Sequence, residues 1–283
     1  MQVLADISDP TCPAFQESLR ELRAVCGAQE MLPRSCTLPE SPLTIGPPVT
    51  SGLPHEGIFD GSRVRIKLVR VDKDDPQKVK KVCYRPRHVP TFPGTNGFQI
   101  FHQVAVLWKH SAHPNIVPLL GATTTPLRFI SDWMSGGNLT GYTTSHPDVD
   151  RLGLVGPPPP VATREMLTPR QLSDIAEGLN YLHSCNVVHG DLKGVRDCSE
   201  SRFTAVFTPS QPNILVDATG RARITDFGLA TVAKNSDSMW NASGDWGHSV
   251  RWTAPEILNE QGMYSREADV FSLAMVTIEV HCG

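Results

Sequence analysis

The residues best suited to chemistry in this sequence are carboxylates, an amide and lysines, and they lie in short polar motifs. Asp191 and Lys193 lie in HGDLKG, Asn213 lies in PNILVD, Asp226 begins DFG, and Lys67 ends VRIK. Transfer of a phosphoryl group needs little covalent help from a protein. It needs positioned reactants, neutralised charge and a group that orients the incoming hydroxyl. These side chains can supply those functions.

The order of these motifs is informative. Followed by Ala254-Pro255-Glu256, they form the ordered set that marks protein kinases. The chain therefore resembles a protein kinase. Because RWTAPE looks like the peptide-docking loop of tyrosine kinases, the resemblance is greatest to the tyrosine-kinase-like group of serine/threonine kinases. The resemblance implies an α+β, bilobal fold with a small β-rich N-lobe at 47–131 and a mainly helical C-lobe at 135–283. It also implies truncation after the helix that follows APE.

The same resemblance implies ATP and Mg²⁺ as cofactors and a role for each motif residue. Asp191 is expected to accept the proton of the substrate hydroxyl. Asn213 and Asp226 are expected to hold Mg²⁺, and Lys67 to contact the α- and β-phosphates. Lys193 resembles the lysine of serine/threonine kinases that steadies the γ-phosphate, so the predicted substrate is Ser or Thr of a protein.

The nucleotide site has further expected members. Ser131 falls where the family has its gatekeeper, and Asp132 to Met134 form the expected hinge that bonds adenine through its backbone. The glycine-rich loop is degenerate, because TSGLPHEGIFDG offers chiefly Gly52, and the nearby Pro54 lacks a backbone donor.

Three substitutions depart from the family pattern. Arg65 replaces Ala in the V-A-I-K motif, and it shares a strand face with Lys67, so its bulk is expected to crowd an adenine. Val104 stands where the lysine's Glu partner is expected, and no Asp or Glu occurs from 76 to 131. Gly190 replaces the Arg of H-R-D, which removes a partner for a phosphorylated activation loop.

Three segments interrupt the family pattern, at 82–99, 155–171 and 195–211. The last one separates Asp191 from Asn213 by twenty-two positions, where the motif has five. Each segment begins with Val and ends with Gln, residues that GTN and CAG can encode. We therefore hypothesise retained in-frame introns; genuine surface loops are the alternative. The third segment is expected to spoil the geometry of the loop that it interrupts.

Regular elements must position these motifs. At 1–46 we expect a helical lead-in or disordered tail, whose helix FQESLRELRAVCG carries Phe15, Leu19, Leu22 and Val25 on one face. From Ser62, alternating residues predict a strand that is half-buried over its first seven residues. FHQVAVLWKH and LSDIAEGLNYLH predict helices, and strands are expected between them.

Composition limits the classes of partner. The 283 residues carry a net charge of -3, with 40% hydrophobic and 19% charged residues, which is typical of a soluble globular protein. Nothing indicates nucleic acid, and no apolar run approaches a membrane span. Seven scattered cysteines and unpaired histidines predict reduced thiols and no zinc. We expect a cytoplasmic protein whose oligomeric state the sequence leaves open.

Three functional interpretations remain open at this stage. The first is an ATP-dependent serine/threonine protein kinase, on the strength of the five motif residues. The second is a catalytically impaired pseudokinase or binding scaffold, because of Val104, Arg65 and the degenerate glycine loop. The third is a non-functional product of an incompletely spliced gene.

Overall fold

The computed structural model describes most of the chain outside the three interrupting segments. The described residues are 9–39, 41–46, 54–71, 79–81, 97–145, 167–194, 212–227, 250–258 and 264–282. The sequence-predicted interruptions at 82–99, 155–171 and 195–211 lie largely outside them, as does Gly52.

An antiparallel sheet dominates the first half of the described chain. Its strands are β1 (Thr44–Ile45), β2 (His55–Phe59), β3 (Ser62–Val71), β4 (Val79–Lys81), β5 (Leu119–Thr124) and β6 (Leu127–Asp132). Their spatial order is β1-β2-β3-β6-β5, and β4 also pairs with β3. Strand β3 therefore has neighbours on both sides. In this register Arg65 lies opposite Ser131 of β6.

A tight hairpin joins β2 to β3. Phe59 pairs with Ser62, and the two turn residues, Asp60 and Gly61, have φ of 48° and 75°. Two-residue hairpins favour Asp-Gly because both turn positions need positive φ, which glycine adopts without steric cost. The second half of TSGLPHEGIFDG is thus a strand and a turn.

Helix α1 (Pro13–Gln29) packs against helix α2 (Gly97–Lys109). The helix predicted near the N-terminus is confirmed, but its buried stripe differs from the predicted one. Phe15 and Leu19 are buried as expected, whereas Val25 is 52% exposed and Cys26 is buried in its place. A spacing of seven residues from Leu19 to Cys26 keeps to one helical face better than the six residues to Val25.

Helix α2 lies across the sheet through its aromatic residues. Phe101 stacks on Phe129 with ring centroids 4.7 Å apart, and Trp108 Nε1 donates a hydrogen bond of 2.7 Å to the carbonyl of Val117. The helix begins at Gly97, so the end of the predicted interruption 82–99 is its first turn. Buried Gly97 and Ile100 give this turn an apolar face.

The second half is mainly helical. It contains α3 (Leu139–Ser145), α4 (Leu167–Ser184), α5 (Pro255–Leu258) and α6 (Arg266–Cys282), beside a small sheet of β7 (Gly137–Asn138), β8 (Ile214–Val216) and β9 (Ala222–Ile224). Helix α4 buries Ile175, Leu179 and Leu182 as its periodicity predicts.

The predicted interruption 155–171 also ends inside a helix. Helix α4 begins at Leu167, and Gln171 is buried and donates from Nε2 to the carbonyl of Gly220 over 3.1 Å. Gln171 thus ties the start of the helix to the turn before β9. Thr168 and Pro169 lie in this first turn.

The two halves share one hydrophobic core. It includes residues of α1, α2, β5, α4, β8 and β9. Backbone hydrogen bonds reinforce the junction, since Val117 donates to the carbonyl of Ile224 over 2.9 Å and Ile224 donates to that of Asn115 over 2.8 Å. These contacts confirm the predicted α+β fold and bring the polar face of β3 to the loop after β9.

Candidate active site

The part of the site where the sequence predicts nucleotide binding, the nucleotide side, is centred on an ion pair between β3 and the loop after β9. Lys67 Nζ pairs with Asp226 Oδ1, and the two side chains are buried. Asp226 adopts a φ of 66°, a left-handed conformation that short polar residues reach more easily than bulky ones. Thr225, just before it, is fully buried. The turn therefore aims the carboxylate back at β3.

Arg65 reaches the same carboxylate. Its Nη2 lies 3.4 Å from Asp226 Oδ2, and its side chain is 8% exposed. The half-buried strand that the sequence predicts is therefore wrong for the centre of β3, where both faces are buried. The alternation placed Arg65 and Lys67 on a solvent face, but their shared acidic partner lies far along the chain and covers that face.

Helix α2 contacts β3 and has many buried apolar residues. Val104 is buried, so the substitution that the sequence identifies contributes no carboxylate. Phe227 is also buried, and its ring lies 5.9 Å from that of Trp108. The loop after β9 is thus fixed to α2 by an aromatic contact.

The expected hinge begins at Asp132, the last residue of β6. Ser131 is buried at the end of this strand, and Asp132 donates its backbone N–H to the carbonyl of Pro118 over 3.2 Å. Burial raises the pKa of Asp132 above its usual range. Met134 is buried, and its carbonyl accepts a hydrogen bond of 3.1 Å from Gly137. Gly52 lies outside the described residues.

The part of the site where the sequence predicts the hydroxyl of the protein substrate, the acceptor side, is centred on Asp191. Lys193 Nζ donates to both of its carboxylate oxygens, over 2.9 and 3.0 Å. Asn213 Nδ2 donates to Asp191 Oδ2 over 3.0 Å and to its backbone carbonyl over 2.5 Å. Charged and amide donors therefore hold the Asp191 carboxylate in one orientation.

The turn that carries Asp191 rests on helix α6. Asp269 is buried, and its two carboxylate oxygens accept hydrogen bonds of 2.8 Å from the backbone N–H groups of His189 and Gly190. Its Oδ2 also accepts from His183 Nε2 over 2.9 Å. Gly190 has a φ of 75°, which glycine adopts without strain.

His189 links the two sides of the site. Its Nδ1 accepts a hydrogen bond of 3.1 Å from the backbone of Asp191, so its Nε2 carries the proton and donates to the carbonyl of Thr225 over 3.1 Å. Thr225 in turn donates its N–H to the carbonyl of Asn213 over 2.9 Å. These hydrogen bonds therefore connect the turn that carries Asp191 to the loop that carries Asp226, and fix their relative positions.

The segment 195–211 does not separate Asp191 from Asn213 in space. Asn213 donates its backbone N–H to the carbonyl of Lys193 over 3.2 Å, in addition to its side-chain contacts with Asp191. The expectation that this segment spoils the loop was wrong. Two anchored ends are enough to close the loop, because the entropy of closing a connection grows only slowly with its length.

A second buried carboxylate supports the segment RWTAPE. Glu279 Oε2 accepts a hydrogen bond of 3.0 Å from Trp252 Nε1, and its Oε1 accepts one of 3.3 Å from Thr140. Ser272 donates to the carbonyl of Trp252 over 2.6 Å. Helix α6 thus holds both the turn before Asp191 and the expected peptide-docking segment.

Sequence reasoning did not assign functions to Asp269 and Glu279. Both lie on α6, in the largely apolar run EADVFSLAMVTIEV. An acidic residue at a position that the helical pattern makes apolar is the sequence signal that could have identified them. Buried carboxylates need donors, so each indicates a polar partner elsewhere in the fold. The sequence does not say which partner.

Within the described residues, no three His, Cys, Asp or Glu side chains group as a metal site. Mg²⁺ needs fewer protein ligands, because it is held by one or two carboxylates together with water and substrate phosphates. Asp226 and Asn213 offer suitable oxygen donors. None of the helices in the described part of the chain is both long and apolar enough to cross a membrane.

Two family models match the chain. The model "Protein tyrosine and serine/threonine kinase" matches residues 94–199, and "Protein kinase domain" matches residues 210–283. Together they cover more than half of the chain, and the gap between them falls inside the segment 195–211.

Similar curated proteins come from several kingdoms. A "Probable serine/threonine-protein kinase" of Dictyostelium discoideum is 26% identical over 83% of this chain and 20% of its own length. Serine/threonine-protein kinase STY46 of Arabidopsis thaliana is 29% identical over 81% of this chain and 31% of its own length. Mitogen-activated protein kinase kinase kinase 1 of Homo sapiens is 28% identical over 62% of this chain and 10% of its own length. The chain spans less than a third of each.

A β-sheet half joined to a helical half, with a lysine–aspartate pair and a held aspartate between them, is the arrangement expected of a protein kinase domain. The chain belongs to the protein kinase family. The model that joins tyrosine and serine/threonine kinases also agrees with the tyrosine-kinase-like group expected from the sequence.

Proposed function

We propose that this chain, as the domain at 47–283, transfers the γ-phosphoryl group of ATP to serine or threonine of a cytoplasmic protein substrate. The observation that carries the proposal is the arrangement of Asp191. Its carboxylate is held by Lys193 and Asn213, and the bonds through His189 and Thr225 tie it to the loop of Asp226. Phosphoryl transfer depends on such positioning.

In the proposed reaction, the substrate hydroxyl oxygen bonds to the γ-phosphorus while the bond from that phosphorus to the β,γ-bridging oxygen breaks. Asp191 orients the hydroxyl and accepts its proton. Lys193, which is 2.9 Å from Asp191, can also reach the γ-phosphoryl oxygens of a substrate placed beside that carboxylate.

The nucleotide side has matching roles. Lys67 would contact the α- and β-phosphates, and Ser131, Asp132 and Met134 would lie along the adenine, with Gly52 in the loop above the phosphates. Asp226 and the amide oxygen of Asn213 would hold Mg²⁺, which neutralises phosphate charge when bound.

Lys193 supports serine or threonine as the acceptor. Its ammonium group lies beside Asp191, at the side from which the hydroxyl must approach. A short Ser or Thr side chain brings substrate backbone close to this lysine, whereas a tyrosine ring needs that space. Phosphoamino-acid analysis of the labelled product tests this part.

The main test is phosphate incorporation from γ-labelled ATP into a mixed peptide substrate. We expect incorporation by the wild-type chain and a loss of about 10²- to 10⁴-fold in Asp191→Ala, the usual contribution of such a proton acceptor. Asp60→Asn, in the β2–β3 turn, is the matched control and should stay active. Equal incorporation by wild type and Asp191→Ala would refute the proposal.

Thermal-shift titration with Mg-ATP separates the kinase from a binding scaffold. A shift that Lys67→Met and Asp226→Asn reduce, without phosphate incorporation by wild type, would favour the scaffold. Absence of a shift at saturating nucleotide would argue against both.

A further inference from the structure

The N-terminal segment, residues 9–39, is attached to three parts of the domain. Near its start, the carbonyl of Pro10 accepts a hydrogen bond of 3.7 Å from Cys185 Sγ, just after α4. Near its end, Leu38 donates its N–H to the carbonyl of Ala122 on the edge strand β5 over 3.0 Å. Between these two points, helix α1 packs on α2. The segment therefore contacts both halves of the fold.

The contact between α1 and α2 is close because of one glycine. Gly27 is buried on α1, and a Cβ at this position would lie 2.8 Å from both Cγ and Nε2 of Gln103 on α2. Carbon atoms of neighbouring side chains pack at about 3.5–4.0 Å, so a larger residue at position 27 would push the two helices apart. Gly27 therefore sets the distance between α1 and α2.

A different side of α2 faces the loop that carries Asp226. Trp108 lies five residues after Gln103, which places the two side chains about 140° apart around the helix. The ring of Trp108 lies 5.9 Å from that of Phe227, the residue after Asp226. A displacement of α2 at Gln103 would therefore be passed to this loop through the two rings.

Helix α2 also contacts the strand that pairs with β3. Phe101 stacks on Phe129 of β6 with ring centroids 4.7 Å apart, and Phe129 lies opposite Lys67 in the ladder. In the kinase pattern a Glu on this helix pairs with the lysine, but Val104 stands at that position and supplies no carboxylate. Aromatic packing thus links α2 to the strand of Lys67 where the pattern has an ion pair.

We propose that the N-terminal segment positions the nucleotide side of the site. It holds α2 where the helix keeps Lys67 and Asp226 together, and Gly27 is the positioning residue. Close-packed interiors transmit such displacements because they leave little free volume. The inference rests on the proposed function where it concerns catalysis, whereas its effect on the loop of Asp226 can be measured without activity.

The main test is hydrogen exchange, followed by mass spectrometry, of wild type and Gly27→Leu without nucleotide. The informative peptides cover 222–227, where the amides of Ile224 and Thr225 donate backbone hydrogen bonds. We expect these amides to exchange at least about tenfold faster in Gly27→Leu, because the loop opens locally when α2 moves. An increase confined to α1 and α2 would overturn the proposal, because it would show only a local loss of packing.

Two further variants control for added volume and for the site of contact. Val25→Leu adds volume at an exposed position of α1 and should leave exchange at 222–227 unchanged. Gln103→Ala removes the three atoms nearest to a Cβ at position 27, so adding it to Gly27→Leu should recover most of the protection. Equal exchange with and without Gln103→Ala would contradict the proposed contact. Gly27→Ala replaces Gly27→Leu if the latter shows no cooperative unfolding transition.

Phosphate transfer gives a second measurement, made well below the unfolding temperature of each chain. We expect kcat to fall by about 10- to 100-fold in Gly27→Leu, as for a small misplacement of the reactants, with the KM for peptide unchanged. A purely structural role would lower the unfolding temperature and leave kcat at its wild-type value.

The outcomes separate this inference from the proposed function. A wild-type chain that transfers no phosphate would refute the kinase, and the exchange of 222–227 would still decide the role of the N-terminal segment. A wild-type chain that transfers phosphate, beside a Gly27→Leu variant with wild-type kcat and exchange, would overturn this inference and leave the kinase intact.

Discussion

The acceptor side and the nucleotide side of this site differ in how far they depart from the kinase pattern. On the acceptor side, Asp191 has the expected lysine and asparagine, and Asp269 holds its turn. On the nucleotide side, Arg65 is added and a carboxylate is missing at Val104. The residues expected to position a proton acceptor are kept, while those expected to balance phosphate charge are rearranged.

The difference shows that the two tasks constrain sequence differently. A proton acceptor must lie within hydrogen-bond reach of one atom, so its neighbours can change little. Charge on a polyphosphate can be neutralised by a metal, a lysine or an arginine in several arrangements. Substitution is therefore easier on the nucleotide side.

The largest expected effect is the loss of the buried carboxylate below the acceptor turn. Asp269→Asn removes the charge and presents an amide donor to N–H groups that need an acceptor. We expect the free energy of unfolding to fall by about 3–5 kcal/mol, measured by denaturant titration. Glu267→Gln, exposed on the same helix, should have little effect. A fall confined to activity, with stability unchanged, would contradict this structural role.

A second change tests whether position 104 faces the cations of the nucleotide side. Val104 and Val106 are both buried on α2, but the family pattern places only position 104 toward Lys67. We expect Val106→Glu to destabilise the fold more than Val104→Glu, by about 2 kcal/mol, because a buried carboxylate is tolerated only near cations. Chemical unfolding of both variants measures this. Equal losses would mean that position 104 does not face the cluster.

A smaller effect is expected at the docking segment. Trp252→Phe keeps the aromatic packing but removes the donor to Glu279. We expect a loss of about 1–2 kcal/mol in unfolding free energy and a raised KM for peptide, with nucleotide binding unchanged. Trp133→Phe, in the hinge region, is the control. A change in nucleotide affinity alone would indicate that Trp252 acts on the nucleotide side, and would contradict this prediction.

The smallest effect concerns pH. Burial lowers the pKa of His102 on α2, and its Nε2 has no hydrogen-bond partner among the residues that the structure describes. The unfolded chain therefore takes up this proton more readily, and stability is lost as the pH falls below about 6.5, the ordinary histidine pKa. His102→Gln should show a flatter stability profile between about pH 7.5 and 5.5. An unchanged profile would show that His102 does not contribute.

Much of the site could be predicted because its chemistry lies in short motifs. Asp191, Lys193, Asn213, Lys67 and Asp226 were each identified by local sequence. The structure places them in two groups, which hydrogen bonds through His189 and Thr225 connect. The helical periodicity of α4 likewise predicted its buried residues, because that pattern needs no knowledge of distant contacts.

Other features could not be predicted because they depend on distant partners. Arg65 and Asp226 are 161 positions apart, and alternation along β3 gives no sign that its basic face becomes buried. Asp269 contacts a turn about eighty positions earlier. The closing of the loop around 195–211 also depends on anchors that act only in the folded chain.

The hydrogen bond from Asn213 to Lys193 has a consequence for how this gene can change. It holds the two ends of the segment 195–211 next to each other. The positions of these ends in the site therefore do not depend on the length of the segment. The length of this segment can therefore change with little effect on the geometry of Asp191 and Asn213, whereas a substitution at Asn213 removes its side-chain contacts with Asp191.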